Sequence, residues 1–416
     1  MNSVDERIKT YWQKLEQALD FETATTEKFI DPDSTENSMR ASEFLMYLDI
    51  EPIMHIVNKC YAVAEGEETY PRRAMVKLMF WRRLKGIRFF TETYSELKDY
   101  PGDAANLGLV DKHGNVIIPN YRTMTHFENV RLGKEGMNEI FAALRSGVVK
   151  EAKVAGVNIG ESTAQDAIPV QTRANDEDGK WNAHYKKKMV KLQVVSDVEN
   201  FVPLAKETDS GNSGDDGHLV PMMTEVAEVV GKENMDSTYF DGGYNSHENL
   251  AKMHVLFDFD EIHYHIDRDW KTEITFKHER HGKIYEYTPQ QEINRLYSKM
   301  WKEPFYGKDA DLRYKMECLV SQGICEPVSA YFRNSRMREY EECPDGVLDA
   351  YHKRNVEEGF GGYLKEHYEL EKFVRGKGME KIDRDLTAML NVALAVALTR
   401  LQNGVTKNLI SIAYLT

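Results

Sequence analysis

The spacing of apolar residues changes near residue 154, and that change restricts the chain to a helical region followed by a mixed α/β sheet. Between residues 41 and 150 apolar side chains recur every three or four positions, as on one face of a helix. Helices are predicted over 44–48 and 53–63. After Pro71, a favoured first-turn residue, Met75, Leu78, Met79 and Leu84 mark another. Two more are predicted over 91–97 and 121–132. Beyond Val154 the runs turn β-prone, over 154–159, 189–195 and 201–206, with a turn at 196–200 between the last two. Predicted helices at 218–230 and 246–253 then alternate with strands at 237–240, 254–259 and 262–266. Such alternation implies a mixed α/β sheet.

At 416 residues the chain exceeds one ordinary core. Its organisation reads as an N-terminal helix (5–21) and linker over 1–44, and a helical domain over 45–150. An α/β core follows over 151–266, resuming over 346–416 with a last helix at 383–401. The insertion at 267–345 reads as β-rich from runs at 274–278, 283–287 and 328–332. The first residues lack the apolar stretch of a secretory signal. The longest apolar run, 386–398, is broken by Thr387 and Asn391 and is too short for a membrane. A cytoplasmic protein without membrane contact is expected. Cys60, Cys318, Cys325 and Cys343 form no CxxC pair and suggest reduced thiols. A zinc site from Cys318, Cys325, His263 and His265 lacks the close ligand pairs usual in closed sites.

A net charge of −14 opposes nonspecific coating of nucleic acid. The cations are nevertheless clustered. Arg72, Arg73, Lys77, Arg82, Arg83, Lys85 and Arg88 follow one another with no acid between them. Lys186, Lys187, Lys188 and Lys191 follow Tyr185, and Arg122, Thr123, His126 and Arg131 lie on the helix predicted after Asn120. This distribution suits a DNA partner, while a scaffold or dimerisation role suits any one of these helices as well.

Tyr351, Arg354, Glu358 and Lys365 are spaced Y-x2-R-x3-E-x6-K. On one helix they would share an arc of roughly 60°. A carboxylate among two cations and a phenol suits a phosphodiester, the acid holding a metal and the cations holding phosphate. The plainer reading is a solvated face with an i,i+4 pair of Arg354 and Glu358. Metal-assisted phosphodiester chemistry needs further acids. Asp241 follows a β-prone run and precedes Gly242-Gly243, with Ser246 positioned to cap the next helix. That corner is where open α/β sheets bind ligands, though an ordinary Asp-Gly turn would read the same. Asp166 lies near Pro169, which interrupts pairing and suggests a strand end or edge. Glu161 rivals it on the residues alone.

Taken together, these residues resemble the DDE transposases of prokaryotic insertion sequences, in the group carrying the Y-x2-R-x3-E-x6-K signature. Asp166-Ala-Ile-Pro-Val-Gln171 is similar to the family's Asp-Ser-Thr-Pro-Ile-Glu, and His184-Tyr185-Lys186 follows eighteen residues on. This register favours Asp166 over Glu161. Asp241-Gly-Gly-Tyr244-Asn-Ser246 is similar to Asp-x-Gly-Tyr-x-Ser, and Gly211-Asn212 with Asp215 or Asp216 is similar to a Gly-Asn-x-x-Asp element. Residues 71–133 resemble the N-terminal domain of these enzymes. Ala167 and Gln171 depart from the pattern without removing a metal ligand.

The resemblance implies an α/β, RNase H-like catalytic core, a mixed sheet flanked by helices, with the insertion between Asp241 and Glu358. It implies Asp166, Asp241 and Glu358 as catalytic ligands of Mg2+, or of Mn2+ in its place. DNA contacts are expected from Tyr351, Arg354, Lys365, His184, Lys186, Arg82, Arg83 and Arg122. The activity implied is cleavage and joining of DNA at element ends, by a homodimer on transposon-end and target DNA in the prokaryotic nucleoid. A nuclease without strand transfer and a catalytically idle, element-derived DNA-binding protein are the competing readings. Trp270 and Trp301 would either stack on a displaced base or serve in packing.

Overall fold

The computed structural model describes residues 38–61, 69–257, 259, 261–264, 273–301, 311–352, 355–374, 376–413 and 415, with backbone alone for 301, 350, 355–358, 372 and 373. The helix predicted at 5–21 lies outside these residues. The first layer is helical: α1 (Ala41–Phe44), α2 (Glu51–Tyr61), α3 (Arg72–Leu84), α4 (Phe90–Asp99), α5 (Pro101–Asn106), α6 (Tyr121–His126) and α7 (Gly133–Val154). Asn120 starts α6 by accepting the Arg122 and Thr123 N–H groups, which satisfies two of the donors that a helix start leaves open. A wider turn, Phe127–Leu132, leads into α7. On α7, Met137, Ile140, Phe141, Leu144, Val148 and Ala152 form the buried stripe. The strand predicted at 154–159 is absent, because α7 runs to Val154 and the first strand begins at Ser162.

That strand, β1 (Ser162–Gln171), is central. It is followed by β2 (Lys180–Asn182), β3 (Lys187–Asp197), β4 (Pro203–Ser210), helix α8 (Leu219–Val230), β5 (Ser237–Phe240), α9 (His247–Leu256) and β6 (Glu261–Tyr264). β3 pairs antiparallel with β1 from Thr163↔Asp197 to Gln171↔Met189. Its other edge pairs with β2 along residues 187–189 and with β4 along residues 190–196. On the far side of β1, β5 is parallel and pairs only from Ser162↔Ser237 to Gln165↔Phe240; β6 then pairs parallel with β5. From residue 166 onward β1 therefore has its ladder on the β3 side alone. Pro169 sits in this half, where a missing donor costs little. The strand predicted at 254–259 is corrected: His254 belongs to α9, which continues to Leu256.

The insertion is also corrected. Among the described residues it holds one hairpin, β7 (Phe276–Arg280) with β8 (Lys283–Tyr287), and three helices, α10 (Pro289–Trp301), α11 (Leu312–Ser321) and α12 (Glu326–Glu342). It is predominantly helical, not β-rich. The run at 328–332 lies inside α12, because Pro327 opens a helix there and the apolar residues bury one helical face. Ile293, Met316, Leu319, Val320, Cys325 and Val328 close with Ala251 and Val255 of α9 into a separate small core.

The chain ends with α13 (Pro344–His352), α14 (Asn355–Glu366), α15 (Leu370–Phe373) and α16 (Met379–Gln402). From Leu386 to Leu401 every residue of α16 is buried, as expected of a helix enclosed on all sides. It packs on α7, α3 and β4. One apolar core consequently runs from the first helices through α16 into the sheet.

Candidate active site

Gln165 and Phe240 are the last paired positions of β1 and β5. Asp166 and Asp241 come next on each strand, so the two aspartates stand side by side. Lateral neighbours on paired strands present their side chains to the same face. Asp241 keeps an extended backbone (φ −77°, ψ 164°), so the alternation carries through it. Oδ1 of Asp166 accepts the Ala167 N–H at 2.8 Å and Oδ1 of Asp241 accepts the Gly242 N–H at 2.6 Å. Both side chains are half-buried. Glu161, the rival, precedes β1 and accepts a hydrogen bond from Asn158 Nδ2. It lies five residues back, about 16 Å along an extended strand. Asp166 is the acid that meets Asp241.

The segment bearing Glu358 is held at both ends near this pair. Upstream, the Tyr351 hydroxyl on α13 donates to Asp241 Oδ1 at 3.3 Å. Downstream, Gly361 on α14 lies so close to β1 that an added Cβ would stand 3.3 Å from Ile168 Cγ1. Ile168 is two residues from Asp166 and on its face of the sheet. Phe360 and Leu364 are buried, with Phe360 stacked on Phe201 at 6.3 Å. Glu358 lies on α14 one turn before Gly361; its side chain, and all of Arg354, fall outside the described residues. Lys365 Nζ is 3.8 Å from Glu371 Oε1 and partly exposed.

A buried network on the opposite face holds the turn after Asp241. Gln193, fully buried on β3, donates through Nε2 to Asp215 Oδ1 at 2.7 Å and accepts from the Tyr244 hydroxyl. Lys191 Nζ is 2.8 Å from the same Asp215 oxygen. Asn249 bonds the carbonyls of Tyr244 and Asp216 at 2.9 and 2.6 Å, and Ser246 caps α9 through the Asn249 N–H. Sequence reasoning missed Gln193. The available signal was a lone amide within the apolar β3 run.

The DNA-contact role expected of Arg82 and Arg83 is corrected. Only 5% and 4% exposed, they clamp Glu128 at 2.9 and 2.7 Å. Arg82 also bonds the Ile87 and Arg88 carbonyls, and Arg83 that of Met79. Burial pushes the Glu128 carboxyl upward, but the two guanidiniums outweigh it and hold the group below its ordinary range. Elsewhere in the basic run the pairs lie at the surface: Arg73 pairs with Glu51, both exposed, and the partly exposed Lys85 lies 3.6 Å from Glu96. Arg122 remains exposed on α6 beside the Tyr121 ring. His184 and Lys186 occupy the exposed β2–β3 turn, which Asn182 Oδ1 shapes by accepting the His184 and Tyr185 N–H groups.

The zinc grouping does not assemble among the described residues. His263 is engaged by Glu261 and Arg336, and all four cysteines are unbridged. His265, Trp270 and the Trp301 side chain lie outside the described set. No three His, Cys, Asp or Glu side chains gather to hold a metal among the described residues, a set that excludes the Glu358 carboxylate. Asp166 and Asp241 offer carboxylates from neighbouring strands, whose backbones lie about 4.8 Å apart. That donor set fits hard divalent cations such as Mg2+ or Mn2+, which complete their shells with water and phosphate. No described helix is long and apolar enough to cross a membrane.

Residues 161–314 match the family model of the transposase DDE domain. The matched span includes Asp166 and Asp241 and stops before Glu358. No curated protein and no solved structure matches the chain.

Proposed function

We propose that this protein is a DDE transposase that cuts DNA at the ends of an insertion sequence and joins the freed ends to a target. The reading rests chiefly on the adjacency of Asp166 and Asp241 beyond their last shared pair. The transposase-domain match over the same strands supports a nuclease of this type acting on DNA. The sheet order β4-β3-β1-β5-β6, antiparallel then parallel, supports an RNase H-like core.

In this reading Asp166, Asp241 and Glu358 hold the divalent ions, Mg2+ or Mn2+. When bound, these supply activation of the attacking oxygen and charge relief at the leaving one. Tyr351 orients the Asp241 carboxylate, while Arg354 and Lys365 neutralise phosphate charge on the strand being cut. Water attacks the phosphorus at the element boundary, and the broken P–O bond leaves a 3′-hydroxyl. That hydroxyl attacks a target phosphate, forming one P–O bond as another breaks. His184, Lys186 and Arg122 hold flanking DNA, and two copies of the chain each engage one element end in the nucleoid.

The test is an assay with supercoiled DNA carrying the inverted repeats that flank the gene, in Mg2+, scoring nicked, hairpin and joined products. Wild type should yield joined product. Asp166→Asn and Asp241→Asn should each lose about a thousandfold in cleavage rate while still binding end DNA. Undiminished nicking by Asp166→Asn would overturn the assignment; cleavage without joining would indicate a nuclease instead.

A further inference from the structure

The β7–β8 hairpin segregates its charges by face. In its register Phe276 opposes Tyr287, His278 opposes Tyr285 and Arg280 opposes Lys283. Cross-strand partners share a face, so these six form one side with no carboxylate. The other side carries Lys277, Glu279, Ile284 and Glu286, where Lys277 and Glu286 pair at 2.8 Å. At its base the acid-free face is anchored. His278 bonds Glu292 of α10 at 3.0 Å and meets the Tyr287 ring edge-on.

Toward the tip the face stands clear, with Arg280, Lys283 and Tyr285 exposed, Tyr285 by 44%. Two cations directly opposite each other destabilise a ladder, yet among the described residues neither Arg280 nor Lys283 has an acidic partner. The turn between them holds both residues at positive φ, His281 at +52° and Gly282 at +68°. Such a two-residue turn twists the strands tightly and fixes the two cations together at the end of a short arm. A like-charge pair with an aromatic ring beside it, and no acid at the tip of that face, complement a polyanion.

We propose that this hairpin tip grips the DNA backbone, with Arg280 and Lys283 on phosphates and Tyr285 against the adjoining sugar. The inference rests on DNA being the substrate but not on the cleavage chemistry. It assigns the insertion a binding role that its sequence position alone does not.

The experiment uses the full-length protein and a labelled end-DNA duplex, with affinity followed by anisotropy across a salt series. The double variant Arg280→Gln/Lys283→Gln should bind about tenfold more weakly at low salt, with the slope of log K against log salt reduced by about 2. The control pair Lys277→Gln/Glu286→Gln, on the opposite face, should leave both unchanged, and near-identical melting curves would exclude misfolding. An unchanged slope, or an equal loss in the control, would overturn the proposal. So would a change in oligomer mass without a change in DNA affinity, which would make the tip a protein contact. A wild type that binds but never cuts would sink the catalytic reading and leave this one standing.

Discussion

Asp166 and Asp241 occupy the first positions past Gln165 and Phe240, where two parallel neighbours stop pairing. β5 ends there because Gly242 and Gly243 turn the chain away, while β1 continues along β3. The sheet thus has a step at this point, and both carboxylates sit on its edge. Backbones about 4.8 Å apart let side chains on one face reach ions about 3.5–4 Å apart.

The Tyr351 hydroxyl lies 3.3 Å from Asp241 Oδ1, a long contact that orients more than it binds. Tyr351→Phe should slow cleavage about three- to tenfold and raise the Mg2+ concentration for half-maximal rate, with melting temperature unchanged. Rates measured across a Mg2+ series check this. Complete loss of activity would mean that the phenol takes a direct part in the chemistry.

Gln193 joins Asp215 to Tyr244 beneath the Asp241 turn. Gln193→Leu removes an acceptor from the buried Tyr244 hydroxyl, at about 1–3 kcal/mol, and one donor from the half-buried Asp215, which keeps Lys191. Urea unfolding should register that loss. Mn2+ binding, followed by its own spectroscopic signal in the absence of DNA, should also weaken. A stability loss with unchanged Mn2+ affinity would confine Gln193 to holding the fold.

Glu128 sits between two buried guanidiniums. Glu128→Gln should destabilise the protein by about 3–5 kcal/mol, since the cations then lack their counter-charge. Arg122→Gln on the exposed α6 should instead leave stability intact and lower the salt slope of DNA binding by about 1. Reversed outcomes in urea melts and salt titrations would restore Arg82 and Arg83 as DNA ligands.

Asp197 is buried and accepts the Gly160 and Asn200 N–H groups at 3.0 and 2.7 Å. Burial outweighs these bonds and pushes its carboxyl up to about 6 from 3.8. The folded state therefore holds this proton more tightly than the unfolded one. Its contribution to stability is fully present below about pH 4 and is lost as pH rises through about 6. The total is on the order of 3 kcal/mol. Unfolding free energies from pH 4 to 7 should fall less steeply for Asp197→Asn than for wild type. Parallel curves for the two proteins would refute the assignment.

Much was legible before any coordinates. Local chemistry declares itself in order along the chain: the apolar face of α3, the Asp-Gly-Gly turn after β5, the Ser246 cap. The strands at 237–240 and 283–287 coincide with β5 and β8, because β-branched and aromatic runs bounded by glycine or a polar turn have few alternatives. Short apolar runs misled. Residues 254–259 and 328–332 are compatible with either period, and packing of Val255 and Val328 in the insertion core favoured helix. At 154–159 the chain leaves α7 through a turn with Gly156 at positive φ, and Val154 is exposed.

The sequence alone determined which residue types could do phosphoryl chemistry and how far apart they lie along the chain. It left Asp166 and Glu161 level until resemblance was invoked, and it could not tell a cation bound for solvent from one bound for Glu128. Only the tertiary structure set Asp166, not Glu161, beside Asp241 and turned Arg82 and Arg83 onto Glu128. Pairing register and burial depend on contacts between segments dozens of residues apart, and no local pattern records which carboxylate a guanidinium will meet.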